Sequence, residues 1–130
     1  MSIDETEVRV TDPNTGGAKG EKLAVIGDLD PAALLEVGKV CGYGRKKYSR
    51  LNYLSGYDWS LSYDAMQRHL HLFWNREEHD TESGLHHLSH ACWHTLALFA
   101  FATRGLGTDD RPFPPATFDQ ERFEYEHKMD

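Results

Sequence analysis

Apolar positions recur with helical period in three stretches of the chain, and no stretch alternates convincingly enough to be a strand. The first stretch opens at Asp30, a residue suited to capping a helix, with Pro31 at the first helical position. Leu34, Val37 and Cys41 follow at i, i+3, i+7, with Ala33 and Val40 alongside, and Gly42 and Gly44 are expected to end this helix. The second, from about Asp58 to Trp74, carries Trp59, Tyr63, Met66, Leu70 and Phe73 on one stripe. The third is expected from Thr81 to Thr103, closed by Gly105, with Leu85, Leu88, Cys92, Leu96 and Phe99 as its apolar stripe. Residues 96–102 are apolar all round, which predicts a buried segment.

These elements define an all-α core over 30–105 between two less regular ends. Residues 1–29 hold turn chemistry (Asp12-Pro13-Asn14, Gly16-Gly17, Gly20) and read as an irregular arm. Residues 106–130 form an acidic, Pro-containing tail, extended around Pro112, Pro114 and Pro115, with a short helix expected at 118–127. Three helices over about 75 residues bury only a modest core. The apolar end of the third helix wants more cover than two partners provide, so the bundle is expected to be completed by a homo-oligomer.

Composition narrows the class. The chain has 130 residues, 39% hydrophobic and 12% aromatic, too apolar for a disordered protein. No run approaches a membrane span, no signal peptide is visible, and Cys41 and Cys92 read as reduced core thiols, so a cytoplasmic protein is expected. The net charge of −7 argues against a nucleic-acid polymer as partner. That charge sits at the ends. Residues 31–105 carry eight bases and seven acids, including the cluster Arg45-Lys46-Lys47-x-x-Arg50, which suits a small anionic ligand. Lys19 and Lys22 on the arm could reach the same ligand, and Tyr48, Tyr53 and Trp59 could stack a base.

Seven of the eight histidines (His69, His71, His79, His86, His87, His90, His94) fall within 26 residues, interleaved with Glu77, Glu78, Asp80 and Glu82. On the third helix His87, His90 and His94 share one face, and Glu82, His86 and His90 recur at i, i+4, i+8. Imidazoles beside carboxylates are the ingredients of a divalent-metal or acid/base site. Joined to a basic loop, they suit phosphate-ester or anhydride hydrolysis, in which a metal bridges phosphate oxygens and cations neutralise charge.

Several motifs, in order, resemble a known family. They are Gly16-Gly17-x-Lys19-Gly20-x-Lys22, Gly44-x-Lys46-Lys47-Tyr48-(x)3-Asn52-Tyr53, Gly56-x-x-Trp59-Ser60-x-x-Tyr63, Arg68-His69-Leu70, and the run from Trp74 through Glu77, Asp80, Glu82 and Gly84 to His87. Together they are similar to the bacteriophage dATP/dGTP diphosphohydrolase-type proteins, often grouped with the MazG-like nucleotide pyrophosphohydrolases. The resemblance implies a MazG-like helical bundle and Mg²⁺-dependent release of pyrophosphate from a deoxynucleoside triphosphate. It places Lys46, Lys47 and Asn52 against phosphates or sugar, Glu77, Asp80, Glu82 and His87 around metal and water, and Arg68 and His69 at phosphate contact and acid/base work. His90, on the histidine face, joins the metal candidates.

One departure matters. MazG enzymes carry E-x-x-E on one helix and E-x-x-D on the next, whereas here Glu82-Ser83-Gly84-Leu85-His86-His87 lacks the second motif. Glu77-x-x-Asp80 is its nearest remnant, in a turn. Imidazole in place of carboxylate favours Mn²⁺, Fe²⁺ or Zn²⁺ over Mg²⁺. The enzyme reading therefore stands beside two others: a phage protein that sequesters a nucleotide or nucleotide signal without turnover, and a helical interaction protein with no ligand.

Overall fold

The computed structural model describes residues 8–116 and Glu124. Its order is two short strands, β1 (Val8–Thr11) and β2 (Ala18–Glu21), then three helices: α1 (Pro31–Lys47), α2 (Trp59–Trp74) and α3 (His87–Arg104). Single 3₁₀ turns at Ile26–Asp28 and Asn52–Ser55 lead into α1 and α2. No described helix is long and apolar enough to cross a membrane. The helix expected at 118–127 lies outside the described residues.

The three helices dominate, but the arm is not wholly irregular. β1 and β2 pair antiparallel, Val8 opposite Glu21 and Thr11 opposite Ala18. The reason lies in the turn. Asp12 accepts from the amides of Asn14 (2.8 Å) and Thr15 (3.0 Å) through its side chain, and Gly16 takes a φ of +76°. These side-chain bonds reverse the chain without help from apolar alternation.

In α1, Asp30 caps Ala33 N at 2.9 Å, as expected. The helix does not stop at Gly42 or Gly44 but runs to Lys47, so the basic cluster begins in its last turn rather than in a loop. Cations there complement the negative end of the helix dipole. Helix α2 keeps the expected limits. Asp58 makes no side-chain cap; the carboxylate of Asp110 accepts instead from Ser60 N (2.9 Å) and bonds the Ser60 hydroxyl.

Helix α3 starts six residues later than expected. Gly84 adopts φ +75°, Asp80 accepts from Ser83 N (2.9 Å) and Gly84 N (2.8 Å), and Asp80 N bonds Leu85 O (2.8 Å), which curls 80–85 into a loop. His86 then caps the helix, its Nδ1 accepting from Leu88 N at 3.0 Å. Glu82, His86 and His90 therefore do not share a helix face.

α2 and α3 run antiparallel as a hairpin, and α1 packs on α3. Beyond α3, the chain returns to the start of α2. Trp59 Nε1 donates to Leu106 O (2.8 Å), Trp59 N to Thr108 O (3.0 Å), and Arg111 lies over the Trp59 ring at 5.0 Å. Gly56 and Gly107 make this contact by bare backbone: a Cβ on Gly107 would stand 2.2 Å from Tyr57 O.

Apolar burial among the described residues is sparse: Val40, Ala65, Ala91, Ala97 and Phe101. Phe101 is fully buried, with Tyr57 edge-on at 4.9 Å. On α3 the histidine face, not the apolar stripe, turns inward. His87 and His90 are buried with Ser62 and Ser89, while Leu88, Leu96 and Phe99 are exposed. The expectation that 96–102 is buried therefore holds for Ala97 and Phe101 only. Cys41 and Cys92 are also exposed rather than core.

A histidine-rich candidate metal centre

The site forms where the end of α2, the 75–86 loop and the start of α3 meet. α2 supplies His69 and α3 supplies His87, with their Nδ1 atoms 2.8 Å apart. The loop supplies Asp80. One ligand atom from each of His69, Asp80 and His87 lies within 4.8 Å of the others. His90 completes the wall. Its ring stacks on His69 at 4.5 Å, and its Nε2 lies 2.7 Å from Ser83 Oγ and 3.8 Å from Asp80.

Two consecutive glutamates pin two consecutive histidines. Glu77 Oε2 lies 2.7 Å from His87 Nε2, and Glu78 Oε2 lies 3.0 Å from His86 Nε2. A carboxylate only accepts, so the network assigns the His87 hydrogen to Nε2 and leaves a lone pair on Nδ1. His69 Nδ1–H then donates to that lone pair. A carboxylate behind a buried imidazole, with the other nitrogen directed into a shared space, is how metal-ligating histidines are held. The donor set of two imidazoles and one carboxylate fits a borderline transition ion better than Mg²⁺.

Electrostatics keep the imidazoles available. Burial, then the neighbouring His90 and His87, push His69 down to about 4, and burial does the same to His94, also to about 4. Burial lowers His90 as well, against the attraction of Asp80. For Asp80, burial alone would raise the carboxyl. Hydrogen bonds from Ser83, with His90 and His69 nearby, outweigh it and hold the group below its usual range. Behind His69, His94 Nδ1 reaches Ser62 Oγ (3.0 Å), itself 2.6 Å from Tyr57 Oη.

Glu82 stands at the rim, exposed, on neither helix. Tyr43 Oη (2.7 Å) and Lys47 Nζ (3.0 Å) both donate to its Oε1 and hold it ionised, the Tyr43 bond being the larger effect. Sequence reasoning passed over Tyr43, whose signal is its place one turn before Lys47 on α1. It also passed over Ser83, which ties Asp80 to His90.

The other sequence candidates lie outside this cluster. Lys46, Tyr48 and Asn52 are exposed at the end of α1 and in the turn beyond, and Lys19 and Lys22 belong to the hairpin and the residue after it. Arg68 is exposed on α2, close enough for its charge to help depress His69 and His94. Two proposed stacking platforms are otherwise engaged. Tyr53 packs edge-on against Trp93 at 5.4 Å, and Trp59 is held by Leu106 and Arg111 at the far end of the hairpin.

Comparison with known proteins bears on this cluster. Residues 13–111 match the family model described as dATP/dGTP diphosphohydrolase, N-terminal. The match ends at Arg111, where the return contact to α2 ends. A curated relative from Salmonella phage PMBT28, named dATP/dGTP diphosphohydrolase, is 33% identical over 88 residues, covering 68% of this chain and 30% of the relative. The chain thus spans about a third of the length of the relative it matches. No solved structure matches it.

Proposed function

The chain belongs to the dATP/dGTP diphosphohydrolase N-terminal family, and on that premise we propose that it acts in metal-dependent hydrolysis of a deoxynucleoside triphosphate to monophosphate and pyrophosphate. The observation that supports this is the convergence of His69, Asp80 and His87 within 4.8 Å, with Glu77 behind His87.

Those three side chains would hold a divalent ion, Mn²⁺ or another transition ion ahead of Mg²⁺. Such an ion supplies Lewis-acid polarisation of phosphate oxygens and makes a water more acidic. The chain's own groups do the rest. Glu82, held by hydrogen bonds from Tyr43 and Lys47, would accept a proton from an attacking water. Lys47 and Arg68, with Lys46 nearby on α1, supply positive charge for the triphosphate. His90 steadies Asp80 and His69 through stacking and Ser83. The setting would be a phage-infected host cytoplasm, where such a reaction adjusts the nucleotide pool.

A second reading, capture of a nucleotide without turnover, is favoured by one observation: Glu82-Ser83-Gly84-Leu85-His86-His87 lacks the second carboxylate pair, E-x-x-D, that hydrolysis of this kind uses to hold its metal. One experiment separates the two. The protein is incubated with a mixture of deoxynucleoside triphosphates and Mn²⁺ or Mg²⁺, and products are followed by mass spectrometry. Pyrophosphate and monophosphate, lost in Glu82→Gln and His87→Ala, support hydrolysis. Stoichiometric binding with the nucleotide recovered intact supports capture.

A further inference from the structure

Among the described residues, nothing covers the face of the α2–α3 hairpin turned away from α1. Thr95 Oγ1 meets Met66 Sδ at 3.0 Å, which marks the seam between the two helices on this side. Tyr63 and Leu70 lie one turn either side of Met66, with Trp74 a turn further along. Leu88, Leu96 and Phe99 lie on the corresponding stripe of α3, one position or one to two turns from Thr95. Exposure of these six runs from 38% for Leu70 to 84% for Trp74. The opposite side of α3 is the one that meets α1, through the Tyr43 ring against His90 at 6.3 Å.

We propose that this face docks on the same face of a second copy of the chain, hairpin against hairpin, as a two-fold four-helix arrangement. Three observations select that occupant. The six exposed side chains present roughly 700 Å², close to the roughly 800 Å² each partner gives to a standard interface and more than a monomer usually leaves bare. None of the six carries a charge, so a two-fold copy meets itself without like-charge repulsion. The chain's own residues 117–130 are a poor alternative cover, since seven of the fourteen are Asp, Glu, Lys or Arg. The proposal does not depend on the catalytic reading, because the metal candidates lie within one protomer.

Sedimentation equilibrium of the full chain is expected to give twice its 14.9 kDa at micromolar concentration. Leu96→Glu and Phe99→Glu should yield monomer with retained helical circular dichroism. Leu61→Glu, exposed on the other flank of α2, should stay dimeric. A variant-free measurement guards against misfolding. Cys92 lies on the bare stripe and Cys41 on α1, both exposed. Maleimide labelling of Cys92 should slow several-fold as protein concentration rises, while Cys41 keeps its rate. A monomeric wild type, a Leu61→Glu variant that dissociates like Leu96→Glu, or concentration-independent labelling of Cys92 would overturn the proposal.

Discussion

The Nδ1 atoms of His69 and His87 lie 2.8 Å apart across the α2–α3 seam, and Glu77 holds the far nitrogen of His87 at 2.7 Å. With its carboxylate on His87, Glu77 is proposed to act on the site through that imidazole, as a positioning residue. Glu77→Gln should weaken Mn²⁺ or Zn²⁺ binding about 10–100-fold, the usual effect of removing such a support. His87→Ala should abolish it. Titration calorimetry on the chelator-treated protein checks both, and equal affinity for wild type and Glu77→Gln would refute the positioning role.

Acid should loosen the metal-free fold. His69 and His94 are held at about 4, below their ordinary 6.5, chiefly by burial. Above pH 6.5 they are neutral whether the chain is folded or not, and nothing changes. Between 6.5 and about 4 the unfolded chain takes up protons that the fold refuses, so stability falls as pH falls. Solvent reaches both side chains, so each contributes less than the roughly 1.4 kcal/mol per pH unit of a fully shielded proton. Melting temperatures from pH 8 to 4.5 should decline, and less steeply in His94→Gln.

Two glycine substitutions should move stability in opposite directions. Gly107→Ala, at φ +68° with Tyr57 O in the way, should cost at least ~2 kcal/mol. Gly38→Ala, in exposed α1 with open space around it, should stabilise by about 0.5–1 kcal/mol. Urea unfolding of the two variants measures the contrast.

The cap on α2 comes from fifty residues away. Asp110→Ala should lower the melting temperature by removing the acceptor for Ser60, whereas Asp58→Ala, whose side chain caps nothing, should leave it nearly unchanged. A larger loss for Asp58→Ala would contradict this assignment.

Local signals were legible where a short stretch decides the outcome. Asp30-Pro31 announced α1, Gly105 closed α3, and His87, His90 and His94 share an inward face as their spacing indicates. What escaped were choices made by distant contacts. Period alone shows that α3 has a histidine face and a leucine face, but not which one turns inward. Leu96 looked like core by composition, yet His90 takes the interior because Ser83, Asp80 and His69 satisfy it there. Asp110 could not be read as a cap because nothing local ties it to Ser60. The start of α3 was misplaced because Gly84 and the Asp80 carboxylate jointly favour a loop over a continuous helix.

The close approach of Gly56 to Gly107 also bears on the order of folding. It joins segments on either side of the hairpin, and closing a loop of that length directly is entropically costly. Zipping of α2 onto α3 shortens the loop, so the contact forms late on that route. Trp59, whose indole donates to Leu106 O beside that contact, gives the molecule a native fluorophore that reports on its closure.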